Sequence, residues 1–364
     1  MMRATEIVLP GIGDPESLQI RSRELGAPGP GQALVRVEAT GISFAEQQMR
    51  RGKYYDQPPF PFVPGYDLVG VVAQAGAGAP PEGQRVAALT KTGAWASHVL
   101  LDAADLVPVP DGVDAAAAET IVVNGLTAWR MLHRTARVRS GQTIVVLGAA
   151  GGVGSTLVQL ARHAGVNVIG TAGPAQQHRV RELGATPIDY RHEDVPGRVR
   201  DLAPGGVAAV FDHIGGPGQL DSWRMLARGG TLVCYGTAST LEQPGNSRLP
   251  VLKLLARLFA WNALPNGRHA HFFNLWAGRR LRPRHYRAQV ARDLGRVLGL
   301  LADGVITPQI ARRFPLAQAA SALRYAEAGG ITGKVLLIPN DHSTQSAEHE
   351  LSRSAAGLAH QGWL

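Results

Sequence analysis

The feature that most constrains the fold of this chain is a glycine-rich stretch at residues 146–156, with the sequence VLGAAGGVGST. The apolar, β-branched run that leads into it is typical of a buried strand, and the run after it is typical of a helix. Gly151 and Gly154 would let a ligand approach the backbone closely. The first N–H groups of the helix would then face an anion such as a pyrophosphate. This order of strand, turn and helix predicts dinucleotide binding, with tight helix packing as the alternative role of the glycines.

The two halves of the chain differ in their predicted secondary structure. Residues 1–124 contain short alternating apolar runs separated by Gly and Pro, which predict a β-rich unit. From about residue 125 onward, apolar strands alternate with helical stretches. Such alternation predicts an α/β fold in which a doubly wound parallel sheet carries helices on both faces.

The residues beyond the second strand of this alternation bear on the choice between NAD and NADP. Folds that bind NAD place an Asp or Glu about 20 residues beyond the glycines, where it binds the ribose 2′-OH. Here no acidic residue follows that strand before Glu182, and His178, Arg179 and Arg181 lie nearby. The missing acid and the neighbouring cations predict a 2′-phosphate and therefore NADP(H). Arginines that only solvate a helix surface are the alternative.

Cysteine content and hydropathy narrow the cellular setting. Cys234 is the single cysteine, so no intramolecular disulfide and no multi-cysteine metal site can form. The N-terminal segment has no apolar core of a secretory signal, and no run reaches the roughly 18 apolar residues of a membrane span. We therefore expect a cytoplasmic protein.

The formal net charge of +9 comes almost entirely from arginine. A positive surface attracts anions such as phosphorylated cofactors, nucleic acid or acidic membranes, although a compositional bias toward arginine explains most of the excess. No RNA-binding signature accompanies the charge, so we do not expect nucleic acid as a partner. The apolar helical stretch at 249–264 carries Lys253 and Arg257 and could lie on a membrane surface. A lid or dimer-interface helix over the cleft is the favoured interpretation.

Several motifs in a fixed order resemble the medium-chain dehydrogenase/reductase superfamily. They are VRVEATGIS, RRGKYY, PFVPGYDLVGVV, NGLTAW, GAAGGVGST, IDYRHED, FDHIGG and ITGKVLLIP. The resemblance implies a GroES-like catalytic domain formed by 1–126 and 278–340, and a Rossmann domain at 127–277 that binds the cofactor. It also implies a homodimer through the edge of the Rossmann sheet. Residues 341–364 are polar and small, and we expect them to be disordered.

Three positions distinguish the metal-dependent members of this superfamily from the others. Zinc-dependent members carry Cys where this chain has Ser43, and His-Glu where it has Tyr66 and Asp67. Catalytic zinc needs three strong ligands, so we expect no metal. The resemblance is therefore to the zinc-independent quinone oxidoreductases, with zeta-crystallin and the vesicle amine transport protein branch. Without a Lewis acid, acceptors that take hydride readily are favoured, namely quinones and α,β-unsaturated carbonyls.

The roles of individual residues follow from this resemblance at matching positions. Ser43 and Tyr54 would lie in the acceptor pocket and hydrogen-bond the acceptor or relay a proton. Thr127 would lie near both the nicotinamide and the substrate. Arg179 and Tyr190 would contact the 2′-phosphate. The full set of expected cofactor contacts is Thr127, Ala150, Gly151, Gly152, Val153, Gly154, Arg179, Tyr190, Tyr235, Gly236 and Lys334.

The sequence also predicts an apolar wall for a ring-bearing acceptor. Its expected members are Phe44, Tyr55, Phe60, Phe62, Leu258, Phe259 and Trp261. The favoured function is an NADPH-dependent, metal-free reductase of quinones or enones. Three alternatives remain: an enoyl reductase of lipid or polyketide metabolism, an RNA-binding protein that responds to NADPH, and a membrane-associated protein.

Overall fold

The computed structural model describes residues 1–240 and 248–339, and the tail at 341–364 lies outside the described residues. The strands are β1 (Met2–Val8), β2 (Gln19–Leu25), β3 (Gln32–Ile42), β4 (Asp67–Ala75), β5 (Arg85–Leu89), β6 (His98–Asp102), β7 (Leu106–Pro108), β8 (Thr143–Val146), β9 (Asn167–Ala172), β10 (Thr186–Asp189), β11 (Val207–Asp212), β12 (Leu226–Cys234), β13 (His269–Phe272), β14 (Ile310–Pro315) and β15 (Lys334–Ile338). The α-helices are α1 (Phe44–Arg50), α2 (Ala115–Trp129), α3 (Gly152–His163), α4 (Gln177–Glu182), α5 (Val195–Leu202), α6 (Gln219–Arg224), α7 (Arg248–Asn262), α8 (Pro283–Ala302) and α9 (Ala319–Glu327).

The strands from β8 to β13 form the predicted parallel sheet. They lie in the order β10-β9-β8-β11-β12-β13, and every neighbouring pair is parallel. The chain enters at β8, moves outward to β10, and continues on the other side of β8 with β11. This doubly wound order confirms the predicted fold class. Such sheets bind ligands at the carboxyl ends of the strands where the order reverses, which here is between β8 and β11.

A second sheet is built mainly from the first third of the chain. Its strands lie in the order β14-β15-β3-β4-β5-β7, and β6 pairs with β3. The pairs between β3, β4, β5, β6 and β7 are antiparallel. Because β14 and β15 come from the end of the described chain, the polypeptide returns to this sheet after completing the parallel one. The predicted β-rich unit with a return segment is therefore present.

Helix α2 lies between the two sheets. It packs against β3, β4 and β5 on one side and against α3 on the other. Of its 15 residues 12 are buried, as expected for a helix that is apolar on all sides. The carboxylate of Asp114 caps its first turn by accepting from the N–H of Ala117 at 2.9 Å. The domain boundary predicted between residues 126 and 127 falls inside this helix, so α2 supports both sheets.

Helix α7 matches the helix predicted at 249–264 and packs against the edge strand β13. Its side chains Leu254 and Leu258 are buried in the core on that side of the parallel sheet. The amide of Asn262 bonds both backbone groups of Ala270, at 2.7 and 2.8 Å, in the middle of the edge strand. Among the helices described, none is long and apolar enough for a membrane span.

Candidate active site

A cleft with a volume of about 470 Å³ lies between the two sheets, at the carboxyl ends of β8 and β11. Residues from both sheets and from α2 line it, including the glycine turn that follows β8. This is the position that the doubly wound topology favours for a ligand. The fold therefore brings the predicted phosphate turn and the predicted acceptor residues to one site.

The glycine turn leaves no room for side chains where the backbone faces the cleft. A Cβ added at Gly154 would lie 2.2 Å from the carbonyl oxygen of Gly148, and one at Gly152 would lie 2.5 Å from the amide nitrogen of Asn124. Helix α3 begins at Gly152, so its first N–H groups are directed at the cleft and have no partners within the helix. Val153 lines the same turn. The site is thus formed for an anion held by backbone groups.

Ala150 lies behind this turn and does not line the cleft. Its carbonyl oxygen accepts from the N–H of Gly333 at 3.3 Å, next to an isolated parallel bridge between Gly151 and Gly333. Gly333 has φ of 90°, and a Cβ there would lie 2.1 Å from the carbonyl oxygen of Gln309. The return segment is therefore joined directly to the phosphate turn just before Lys334.

The structure does not bring Arg179 to the cleft, contrary to the expected 2′-phosphate contact. Its Nε donates to Oε1 of Gln309 at 2.9 Å, and its Nη1 lies 2.6 Å from the carboxylate of Glu182. These partners hold the guanidinium over a separate depression that is also lined by Arg162. The direction of the side chain is set by Gln309, which is 130 positions away in sequence.

Arg191 and Tyr190 do not line the cleft either, but they lie near the end of β9. The hydroxyl of Tyr190 and the Nε of Arg191 lie 3.8 and 3.9 Å from the point that a Cβ of Gly173 would occupy. Gly173 directly follows β9, where a ribose would lie in this type of fold. Arg191 also stacks on the ring of Tyr190 at 5.9 Å. The sequence analysis missed Arg191, although it stands next to Tyr190 in the motif IDYRHED.

The hydroxyl of Ser43 lines the cleft but is engaged in local hydrogen bonds. Ser43 caps α1, and its Oγ accepts from the N–H of Ala45 at 3.1 Å and contacts the carboxyl group of Glu46. Glu46 also accepts from the N–H of Tyr66 at 2.7 Å. Burial raises the pKa of Glu46, and the hydrogen bond from Ser43 offsets part of this increase. Ser43 therefore shapes the cleft mainly by holding the start of α1.

Two buried phenols and an indole form a hydrogen-bonded chain at the cleft. The indole N–H of Trp276 donates to the hydroxyl of Tyr66, whose oxygen lies 2.7 Å from that of Tyr54. An indole N–H can only donate, so the hydroxyl of Tyr66 accepts from it, and either phenol can be the donor in the bond between Tyr66 and Tyr54. When Tyr66 is the donor, the hydrogen of Tyr54 is left for the adjacent Tyr55 or for a ligand in the cleft. Burial raises the pKa of both Tyr54 and Tyr66, so both phenols keep their protons near neutral pH.

Lys334 lies beneath the cleft in a buried cluster of charges. Its Nζ lies 2.7 Å from Oδ2 of Asp67 and 2.7 Å from Oε1 of Glu119. Burial alone would lower the pKa of Lys334, but the two carboxyl groups outweigh it and the pKa is raised. Burial, with Asp67 next, raises the pKa of Glu119 well above its usual value. A proton on Glu119 supplies the hydrogen bond to Asp67 that the second oxygens of these two groups otherwise lack.

The residues at the positions of the zinc ligands do not fit a zinc ion. Ser43 caps a helix, Tyr66 is a protonated phenol, and Asp67 is already paired with the ammonium of Lys334. Zinc requires at least three strong ligands from deprotonated groups. Across residues 1–240 and 248–339, no three His, Cys, Asp or Glu side chains are grouped so that they could hold a metal.

The remaining predicted residues lie on the cleft walls. Thr127 reaches it from α2, and Tyr235 and Gly236 reach it from the turn after β12. The sequence analysis missed Asn124 and Asn274, which also line the cleft. Asn274 follows β13, and the rule that ligands lie at the carboxyl ends of strands would have indicated it.

Only part of the predicted apolar wall faces the cleft. Phe44 and Tyr55 line it, and so do Phe272 and Phe273, which were not predicted. The other five predicted residues lie elsewhere. Phe60 packs on Phe62, Leu258 is buried beneath α7, Trp261 stacks on Trp223, and Phe259 is exposed. These five side chains do not line the cleft; for Leu258, Phe259 and Trp261 the reason is that helical periodicity alone does not show which face of α7 is buried.

Comparison with known proteins agrees with this architecture. A family model described as an alcohol dehydrogenase GroES-like domain matches residues 29–111, and one described as a zinc-binding dehydrogenase matches residues 183–337. A rat synaptic vesicle membrane protein VAT-1 homolog is 32% identical over 92% of this chain and 83% of that protein. A 2-haloacrylate reductase from Burkholderia sp is 30% identical over 90% of this chain and 96% of that protein. The crystal structure of Escherichia coli quinone oxidoreductase complexed with NADPH has a TM-score of 0.79 at 27% identity, covering 92% of this chain and all of that one.

A GroES-like unit joined to a doubly wound sheet, with a glycine turn between them, defines a two-domain dehydrogenase or reductase fold. The relatives match nearly the whole chain and not one domain alone. The chain belongs to the medium-chain dehydrogenase/reductase family, as the order of its motifs predicts. The zinc in the description of one family model has no counterpart in the residues of this cleft.

Replacing Lys334 with Met is expected to lower the free energy of unfolding by about 3–5 kcal/mol near pH 8, since the buried carboxylate of Asp67 loses its counter-charge. The loss should shrink toward about pH 5, because the variant can neutralise Asp67 by binding a proton that its unfolded state binds less tightly. Urea unfolding followed by tryptophan fluorescence at both pH values measures the effect.

The control for this substitution is Lys91→Met. The partner of Lys91 is Asp56, whose side chain is 46% exposed, so the loss should stay below about 1 kcal/mol at either pH. A loss in Lys334→Met that is the same at both pH values would contradict the charges assigned to the cluster.

Proposed function

We propose that this protein is an NADPH-dependent, metal-free reductase that transfers a hydride to a quinone or an α,β-unsaturated carbonyl compound. The observation that carries the proposal is the cleft itself, which is lined both by the glycine turn and by the phenol of Tyr54. The E. coli quinone oxidoreductase, which is similar over most of the chain, was solved with NADPH bound. The Burkholderia relative is named as a reductase of an unsaturated acid.

The preference for NADPH over NADH is supported by the end of β9. No acidic residue follows β9 along the chain before Glu182, and Arg191 and Tyr190 approach Gly173. A guanidinium binds a phosphate through several charge-assisted hydrogen bonds. We therefore assign Arg191, together with Tyr190, to the 2′-phosphate in place of Arg179.

The chemistry follows from the hydrogen bonds of Tyr54. NADPH supplies a hydride when bound. As a new C–H bond forms at the β-carbon of the acceptor, the π-electron pair shifts to the carbonyl oxygen, and a proton from water completes the reduction. Tyr54 donates a hydrogen bond to that oxygen and stabilises the negative charge as it develops. For this role Tyr66, which accepts from Trp276, must donate to Tyr54 and leave the hydrogen of Tyr54 for the acceptor.

The alternatives predicted from the sequence can be compared with the residues of this site. An enoyl reductase would use the same groups, and only the acceptor distinguishes it.

A homodimer through the edge of β13 remains a prediction, and the amide of Asn262 already bonds the backbone of Ala270 in the middle of that edge. Sedimentation velocity measures the oligomeric state directly.

The function is tested by measuring NADPH oxidation by the purified, EDTA-treated protein. We expect turnover with 1,4-benzoquinone, 9,10-phenanthrenequinone or but-3-en-2-one, and little with NADH. Activity that disappears with EDTA and returns with zinc would contradict the metal-free assignment. NADPH binding without turnover of any acceptor would leave a binding protein, for which RNA and liposome binding are the next measurements.

The assignment of the 2′-phosphate is tested by a pair of arginine variants. Arg191→Ala should raise the KM for NADPH about 10- to 100-fold, since it removes a charge-assisted contact, and should leave the KM for NADH unchanged. Arg179→Ala is the matched control and should change neither constant. If the KM for NADPH rises in Arg179→Ala and does not change in Arg191→Ala, the phosphate contact belongs to Arg179.

The role of Tyr54 is tested by Tyr54→Phe, which removes only the hydroxyl. The kcat should fall about 100-fold, because the developing oxyanion loses its donor, while the KM for NADPH stays the same. Tyr325→Phe is the control, since Tyr325 packs on Phe314 outside the cleft. If kcat is unchanged in Tyr54→Phe, water alone donates the hydrogen bond to the acceptor oxygen.

A further inference from the structure

Helix α7 exposes large apolar side chains to solvent. Leu252, Leu255 and Phe259 are 61%, 43% and 78% exposed, although Leu254 and Leu258 on the other side of the helix are buried. Large apolar side chains that lie together on a protein surface often mark a place where a ligand or a partner binds. We therefore expect a ligand or a partner to cover the exposed side of α7.

This exposed side continues from the cleft. Val251 lines the cleft, and Leu255 and Phe259 follow it at spacings of four residues. Residues four apart form a row along one side of a helix. The three side chains thus make an apolar row, Val251–Leu255–Phe259, that runs outward from the cleft for about 12 Å at 1.5 Å per residue.

The charged residues of α7 do not interrupt the row. Arg257 points to the other side, where its guanidinium donates to the backbone oxygen of Gly216 at 3.2 Å and to Gln219 at 3.1 Å. By the 3.6-residue repeat, Lys253 also projects away from the row. At the cleft end, Phe272 lines the cleft and packs against the buried cluster beneath α7. Val251 and Phe272 both line the cleft, so the row begins at the cleft wall.

We propose that the hydride acceptor carries a long apolar tail, an alkyl or isoprenoid chain, and that the tail lies on the row Val251–Leu255–Phe259. The inference rests on the proposed function for the reacting head, which must lie beside Tyr54. It adds the substrate class, an amphiphilic quinone or enone whose tail leaves the cleft along α7. A second copy of the chain is the competing occupant of this surface.

The tail is tested by binding, which does not depend on turnover. Butan-2-one, heptan-2-one and undecan-2-one share a head that cannot be reduced at a C=C bond, and they differ in chain length. Isothermal titration calorimetry with the NADP⁺-saturated protein should give an affinity that rises about twofold per methylene, because a chain lying on one side of a helix buries about half of its surface.

Substitutions in the row test whether the tail lies on it. In Leu255→Gln/Phe259→Gln the gain from butan-2-one to undecan-2-one should fall from about 100-fold to below about 10-fold, with the affinity for butan-2-one unchanged. Ile20→Gln, on β2, is the matched control, because Ile20 is 60% exposed and does not line the cleft. This control should keep the wild-type dependence on chain length.

Three outcomes would overturn the inference. They are equal affinity for the three ketones, a dependence on chain length that survives in the double variant, and a double variant that loses a dimer in sedimentation while it keeps the dependence. Turnover of a quinone with and without a decyl chain tests the proposed function separately. A protein that binds long ketones along the row but reduces neither the quinones nor but-3-en-2-one supports the tail site and overturns the reductase function.

Discussion

The ammonium group of Lys334, buried between Asp67 and Glu119, is the interaction on which the arrangement of the cleft depends. Lys334 begins β15, Asp67 begins β4, and Glu119 lies on α2, so one charge joins the return segment, the antiparallel sheet and the helix between the sheets. The same carboxylate of Asp67 accepts from the N–H of Val123 at 2.9 Å, which fixes α2 further. A buried ion cluster contributes to a fold only when its hydrogen bonds are complete, and a proton on Glu119 completes them here.

The sequence predicted what local pattern and chain order determine. The stretch at 146–156 identified the phosphate turn, because a strand, glycines and a helix in succession fold in one way whatever surrounds them. The direction of single side chains was predicted less well. Arg179 pairs with Gln309, and Tyr66 is held by Trp276, a residue 210 positions away in sequence. No periodicity or motif contains these pairings, since they exist only once the chain has returned to the first sheet.

Where zinc-dependent members of the family carry metal ligands, this cleft has neutral hydrogen-bonding groups. A zinc site concentrates positive charge on one ion, which polarises whatever oxygen it touches. In this chain Tyr66 takes the position of a ligand, and its hydroxyl serves as a link between Trp276 and Tyr54. Linked hydrogen bonds polarise one another, so when Tyr66 donates to Tyr54 the outermost phenol is a better donor than an isolated one. The proposed reduction of an electron-poor acceptor uses this arrangement.

The contact between Gly333 and the phosphate turn joins two parts of the site that are far apart in sequence. The carbonyl of Ala150 and the N–H of Gly333 connect the glycine turn to the residue just before β15. Because the next residue, Lys334, carries the ammonium group of the buried cluster, the phosphate turn and the charged cluster are held together by a single stretch of backbone.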